Sequence, residues 1–375
     1  MRCRRLLGLL FLGAVTALAG CGSTGFEKPS VVKGVRILAV QKEPAYPHPG
    51  ETVNLTMLYW DGKRSESGRS PVQVLWVGGE AGGPRCINPK GDLYYGCFSP
   101  GGFALISTDA SVPETGDAAT IVDAGADAGA IADAAAPLDA AGIDGGIQPA
   151  PALGDHTSTH HADIPPADVI LRPIPPEQGV PYGLEYVFFA VCAGRIGFVA
   201  PASSPNTLPV GCFGPSGDLL GPDDFVPGYT SIYAYADRRN TNPIVSNLLL
   251  DNAPIGSAAG PIATPPHVAR CTASDSIDCP THAIKVAIDP ASAEVDPSAT
   301  IDNVPLGEQL WVAFYTTGGE FKSELRLVND AQKGWNEDNG TEWRVPTTPG
   351  PVRLWGIVHD NRGGVAWVEG EVIVE

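Results

Sequence analysis

The run Thr52 to Tyr59, TVNLTMLY, sets Val53, Leu55 and Met57 against Asn54, Thr56 and Leu58. Period-two alternation places successive side chains on opposite faces of an extended strand and does not fit the 3.6-residue repeat of a helix. Comparable runs recur along the chain: Val35–Gln41, Pro71–Val77, Ala167–Leu171, Leu184–Cys192, Tyr229–Tyr235, Pro243–Leu250, Ala283–Ile288, Gln309–Tyr315, Val352–His359 and Val365–Val374. Each is short, rich in β-branched and aromatic residues, and bounded by turn formers. The 45 glycines and 36 prolines are spread between these runs, and helix-period stretches of useful length are nearly absent. The expectation is an all-β protein.

The last two runs are joined by DNRGG, Asp360 to Gly364, which reads as a hairpin turn. There is also an internal echo. QKEPAYPHPGETVNLTMLYWDG, from Gln41, is matched in style by IDPASAEVDPSAT and LGEQLWVAFYTTGG: a strand, a Pro-containing turn, Gly-Glu, then an alternating strand ending in Tyr. That grammar suits two sandwich modules, which we place at 34–239 and 240–375 with DRRNTNP, Asp237 to Pro243, as the joint.

One segment breaks the pattern. Between Gly91 and Leu171 there are 12 acidic residues and no Lys or Arg, and DAGADAGAIADAAAPLDAAGIDGG uses six residue types. Its aspartates neither follow a calcium β-roll repeat nor line one helix face. Too little apolar surface is present to offset ordering entropy, so a disordered insertion over about 108–165, looping out of the first module, is expected.

The N-terminus carries Arg2, Arg4 and Arg5, an apolar run Leu6–Ala17, and then Leu18-Ala19-Gly20-Cys21, the layout of a secretory signal peptide over residues 1–20. LAGC resembles the lipobox of bacterial lipoproteins. The resemblance implies acylation of Cys21, a tether over 21–33, and an extracytoplasmic, lipid-anchored chain; Gly22 points to the outer membrane under the sorting rule for such proteins. An ordinary signal peptide with a chance cysteine is the alternative. RILAVQKEPAYPHPGETVNLTMLY and PVRLWGIVHDNRGGVAWVEGEVIV look like the opening and closing strands of immunoglobulin-like modules in bacterial surface proteins. With the lipobox and the Asp/Ala-rich segment, the chain resembles surface lipoproteins of myxobacteria and their relatives. That implies two immunoglobulin-like β-sandwich modules, although the Cys…Trp…Cys pattern of antibody domains is missing.

Six cysteines remain beyond Cys3 and Cys21, falling as Cys86/Cys97, Cys192/Cys212 and Cys271/Cys279. An even set in an oxidising compartment reads as disulfides, and pairing of sequence neighbours is the preferred one of many connectivities. No C-x-x-C favours a metal instead.

Candidates for chemistry are few. His156, His160 and His161, in DHTSTHHAD, would need to converge to bind zinc or copper, and the bland alternative is a solvated leader into the next strand. Trp335 and Trp343 flank NEDNGTE and could grip a sugar; core packing is the competing and preferred reading. Asp360 and Arg362 sit on the hairpin tip, where a partner could bind, although a turn calls for such residues on its own account. No G-x-S-x-G, H-E-x-x-H or phosphate-binding loop occurs, and no cofactor is implied. SVVK, at Ser30–Lys33, matches S-x-x-K by chance. A net charge of −18 argues against nucleic acid as a partner. The expectation is a lipid-anchored envelope protein, held to the membrane through Cys21, with a structural, adhesive or binding role towards a protein or polysaccharide. A carbohydrate-binding or enzyme-accessory surface protein is the alternative.

Overall fold

The computed structural model describes residues 28–78, 156–164, 167, 180–199, 210–273, 276–301 and 304–375. The first strands are β1 (Val35–Glu43), β2 (Thr52–Asp61), β3 (Gln73–Val77), β4 (Thr157–Asp163), β5 (Tyr182–Cys192), β6 (Arg195–Phe198), β7 (Val210–Phe213) and β8 (Phe225–Tyr235). They are followed by β9 (Val245–Leu250), β10 (Ala253–Ser257), β11 (Gly260–Pro261), β12 (His267–Val268), β13 (Thr281–Ile288), β14 (Val295–Ile301), β15 (Val304–Gly307) and β16 (Leu310–Thr316). The last are β17 (Glu320–Phe321), β18 (Leu325–Asp330), β19 (Gly334–Trp335), β20 (Thr341–Arg344), β21 (Gly350–Asp360) and β22 (Val365–Val374). The fold is all-β, built of several sheets arranged in two packed units.

In the first unit the sheet β1-β2-β4 faces the sheet β3-β5-β8. The alternation seen in the sequence decides which side chains meet: Val53, Leu55 and Met57 of β2 pack on Val74 and Trp76 of β3, Val187 and Phe189 of β5, and Ile232 of β8. Each such burial stabilises by about 1.5–3 kcal/mol. The hairpin β6-β7 covers the other face of β5, over Leu75 and Phe188, and the Cys192–Cys212 disulfide joins β5 to β7.

The main sheet of the second unit is ordered β17-β20-β13-β9-β10-β22-β21-β16-β18-β19, with β12 beside β22 and β14-β15 a separate pair, and its two halves close over a single core. Leu248, Ile284, Val286 and Trp343 on one half meet Val312, Phe314, Leu354 and Val368 on the other. The turn from one half to the other is made at β10, where Gly256 lies against β22. A Cβ at Gly256 would fall 1.7 Å from the Glu369 carbonyl oxygen, so only glycine fits. Cys271–Cys279 closes a short loop nearby in sequence. Among the described residues, both disulfides pair sequence neighbours.

The units lie side by side. Leu38, Ala39, Leu58 and Trp60 of β1 and β2 pack on Trp355, Ile357 and Val365 of β21 and β22. Trp60 and Trp355 meet edge to face, with ring centroids 4.9 Å apart.

Two expectations change. Residues 28–33 do not form a free tether: Ser30 and Val32 are buried, Val31 bridges Thr316 in parallel, and the Val32 amide donates to the Thr316 carbonyl at 2.8 Å. The expected insertion does not reach 165, because β4 pairs with β2 from Leu58↔Thr157 to Thr52↔Asp163. The inward positions of β4 are Ser158, His160 and Ala162, too polar or too small for the apolar alternation that marks other strands, yet Trp76 Nε1 donates to Ser158 Oγ at 2.9 Å. Short strands such as β6, β7, β10 and β17 to β20 also carry no periodic signal of their own. The signal peptide, Cys21, Cys86, Cys97, the insertion over 108–155 and residues 168–171 lie outside the described residues.

Candidate functional site

His156, just before β4, and His160 and His161 within it do not converge. His156 Nε2 lies 2.8 Å from Glu369 Oε2 at the contact between the units, and His160 stacks on Trp76 and reaches the Gly78 carbonyl at 2.8 Å. His161 lies on the opposite face of the strand, with Nδ1 2.6 Å from Asn54 Oδ1. Among the described residues no group of His, Cys, Asp and Glu is placed to hold a metal ion.

Trp343 is fully buried in the second core, and its Nε1 donates to the Gly318 carbonyl at 3.0 Å. Trp335 is half-buried and packs against the same core. These two side chains form no sugar-binding platform: β20 must turn Trp343 inwards to fill the space between the halves.

Asp360 and Arg362 belong to a buried polar joint rather than an exposed tip. Asp360 is 3% exposed. Its carboxylate accepts from the Arg362 amide at 2.8 Å, the Gly364 amide at 2.8 Å and Asn240 Nδ2 at 3.0 Å, which satisfies the turn. Arg362 pairs with Glu294 at 2.7 Å and, through Nε, with Glu308. DRRNTNP crosses here: Asn242 Nδ2 donates to the Lys42 carbonyl and to Glu43 Oε2, both at 2.8 Å, and Asn242 Oδ1 accepts from the Val365 amide at 2.9 Å. Burial holds the Lys42 ammonium below its ordinary value, partly offset by the Asp360 charge.

The two Gly-Glu motifs of the internal echo do the same structural work. Glu51 accepts from the His48 amide at 2.7 Å and pairs with Arg239 at 2.5 Å; Glu308 accepts from the Glu294 amide at 3.3 Å and pairs with Arg362. Their electrostatics are opposite. The hydrogen bond from Arg239 lowers the partly exposed Glu51 to about 2. Burial raises Glu308 to about 7; Arg362 offsets part of this, while the nearby negative charges of Asp360 and Glu294 add to it.

What remains exposed and aromatic is one end of the first unit. The loop after β1, Pro44 to Glu51, lies across the end of β8, with the Tyr235 amide donating to the Pro47 carbonyl at 3.0 Å and His48 Nδ1 2.7 Å from the Tyr235 carbonyl. This brings Tyr46 to Tyr235 at a centroid distance of 4.8 Å. Tyr182 of β5 stands 5.6 Å from Tyr233 and 6.2 Å from Tyr235, all three pairs tilted at 45–49°. The Tyr46 hydroxyl donates to that of Tyr235, and burial raises both phenols above their ordinary value. Arg238 sits 5.8 Å from the Tyr235 ring centroid, a cation–π distance. Tyr229, Tyr233 and Tyr235 share one face of β8, and Tyr229 and Tyr233 are 51% and 38% exposed. The signal for this site was present in YTSIYAY, since odd positions of a strand share a face. The contribution of Tyr46 and Tyr182 came from elsewhere in the chain. Chemically the cluster offers ring faces and phenol hydroxyls, suited to contact rather than to bond breaking.

No protein-family model matches the chain, and no curated protein matches it. Among solved structures, the chain is similar to Escherichia coli alpha-2-macroglobulin activated by porcine elastase, at 11% identity and TM-score 0.21, covering 94% of this chain and 22% of that one. It is also similar to the fibronectin(III)-like modules of Clostridium thermocellum CbhA, at 10% identity and TM-score 0.18, covering 91% and 92% of the two chains. The three N-terminal domains of the bacteriophage RB49 outer capsid protein Hoc match at 8% identity and TM-score 0.16, over 91% and 99%. The chain spans about a fifth of the alpha-2-macroglobulin it matches. At these scores the likenesses add nothing to the fold that the strands themselves show.

Proposed function

We propose that the chain is a lipid-anchored, extracytoplasmic binding protein, attached through Cys21 to the outer membrane and making its contact through the tyrosine-rich end of the first unit. The observation that carries the reading is the cluster Tyr46, Tyr182, Tyr233 and Tyr235, held by a buttressed loop and left partly open at one end of the first unit. Rigid aromatic side chains give large contact area at low entropic cost. Two disulfides among the described residues suit an oxidising compartment. The chain as a whole is acidic, with a net charge of −18, which disfavours a polyanionic ligand, so the partner class is a neutral polysaccharide or a protein surface. No catalytic step is assigned.

The test is capture on intact cells with a photoreactive residue replacing Tyr233, followed by mass spectrometry of bound protein and glycan. Capture that is abolished by Tyr182→Ala, with the far-ultraviolet circular dichroism unchanged, supports the reading. Capture that is indifferent to Tyr182→Ala would sink it.

A further inference from the structure

The segment before β1 pairs with an edge of the second unit while Val32 also packs on Leu58 and Trp60 of the first. The Thr316 amide donates to the Ser30 carbonyl at 2.9 Å, the Val32 amide donates to the Thr316 carbonyl at 2.8 Å, and Lys28 pairs with Glu320 at 2.9 Å. This strap occupies the edge of β16 beyond Ala313, where the pairing with β18 has ended. Thr316 and Leu354 mark one end of the second unit; Leu310 and Asp360 mark the other.

The first unit is aligned with the same axis. Val35, at the start of β1, donates to the Asp223 carbonyl, just before β8; at the far end Gln41 Nε2 reaches the Val365 carbonyl at 2.7 Å, beside the 360–364 turn. β8 therefore runs from the strap end to the tyrosine end. At about 3.3 Å per residue, nine-residue β1 separates the two ends by roughly 30 Å. From Cys21 to Lys28 the chain can span at most about 25 Å. The strap is bound at Thr316, and the two units meet at the Trp60–Trp355 contact.

We propose that the Thr316–Glu320 end of the second unit is the membrane-proximal end of the protein, and that the strap holds the tyrosine end outwards by about the length of β1. The proposal rests on the lipid-anchor reading of Cys21. Lying flat is opposed because an acidic chain is repelled by an anionic bilayer surface.

The experiment uses the full lipidated chain in vesicles of phosphatidylethanolamine and phosphatidylglycerol that carry a headgroup-linked energy acceptor. A donor dye is placed on Thr348→Cys, in the exposed turn before β21, or on Ala236→Cys, in the exposed turn after β8. Transfer from position 348 should exceed transfer from position 236 by about twofold or more. Inserting twenty Gly/Ser residues after Gly25 should reduce transfer from position 348 and narrow the difference. Vesicle binding with equal or reversed transfer overturns the orientation alone. Failure of the chain to bind vesicles at all overturns the anchor and the orientation with it.

Discussion

Replacing Glu308 by Gln tests the buried joint most directly. The Glu308 carboxyl is 2% exposed and shares the Arg362 guanidinium with Glu294, while Asp360 stands close by. Burial and these two neighbouring carboxylates move its pKa from 4.5 in the unfolded chain to about 7. Between those values the folded state holds a proton that the unfolded state has released, so stability falls as pH rises. The contribution is fully present below 4.5 and is lost as pH passes through 7. At about 1.4 kcal/mol per pH unit, the interval is worth at most roughly 3 kcal/mol. A glutamine side chain at this position keeps the shape of the glutamate and cannot ionise. Urea denaturation of the wild type and Glu308→Gln at pH 5, 6.5 and 8 isolates this one group, because the pH dependence of every other group cancels in the difference. The stability of Glu308→Gln relative to wild type should rise by roughly 2–3 kcal/mol between pH 5 and pH 8. A flat difference, or one that falls, would show that Arg362 keeps Glu308 ionised and that burial is not the larger effect.

Other perturbations address other parts of the fold. Trp355→Ala removes a fully buried ring from the contact between the units and also strips a donor from Glu369, which Trp355 Nε1 reaches at 3.1 Å. A loss of about 3–5 kcal/mol in chemical denaturation is expected. Gly256→Ala should be more disruptive than an ordinary glycine substitution, because its new methyl meets backbone at Glu369; thermal melting should drop well beyond the few degrees of a surface change. Replacing Cys192 and Cys212 by Ala frees a loop with a sequence separation of 20 and should reduce stability by about 3 kcal/mol. A much smaller change would mean that the β6-β7 hairpin is held by its apolar contacts alone.

The long runs were legible because they are rich in β-branched and aromatic residues, and in β16 and the first half of β2 the burial alternates as the sequence does. β4 was not legible: its inward face is Ser158, His160 and Ala162, and only Trp76 on a facing strand makes that face a core surface. Trp343 and Asp360 illustrate the same limit from the other side. A tryptophan beside acids and an Asp-Asn-Gly turn read equally well as exposed or buried, and packing against the opposite half of the sheet decided for burial.

By itself the sequence determined the all-β class, the neighbour spacing of the cysteines and the repeated Gly-Glu grammar, because each depends on local chain geometry. Tertiary structure alone decided that the strap pairs with β16 of the second unit, that two equivalent glutamates shift in opposite directions, and that Tyr46, Tyr182, Tyr233 and Tyr235 form one surface. Those outcomes depend on desolvation and on contacts between residues up to nearly three hundred positions apart, for which no local pattern exists.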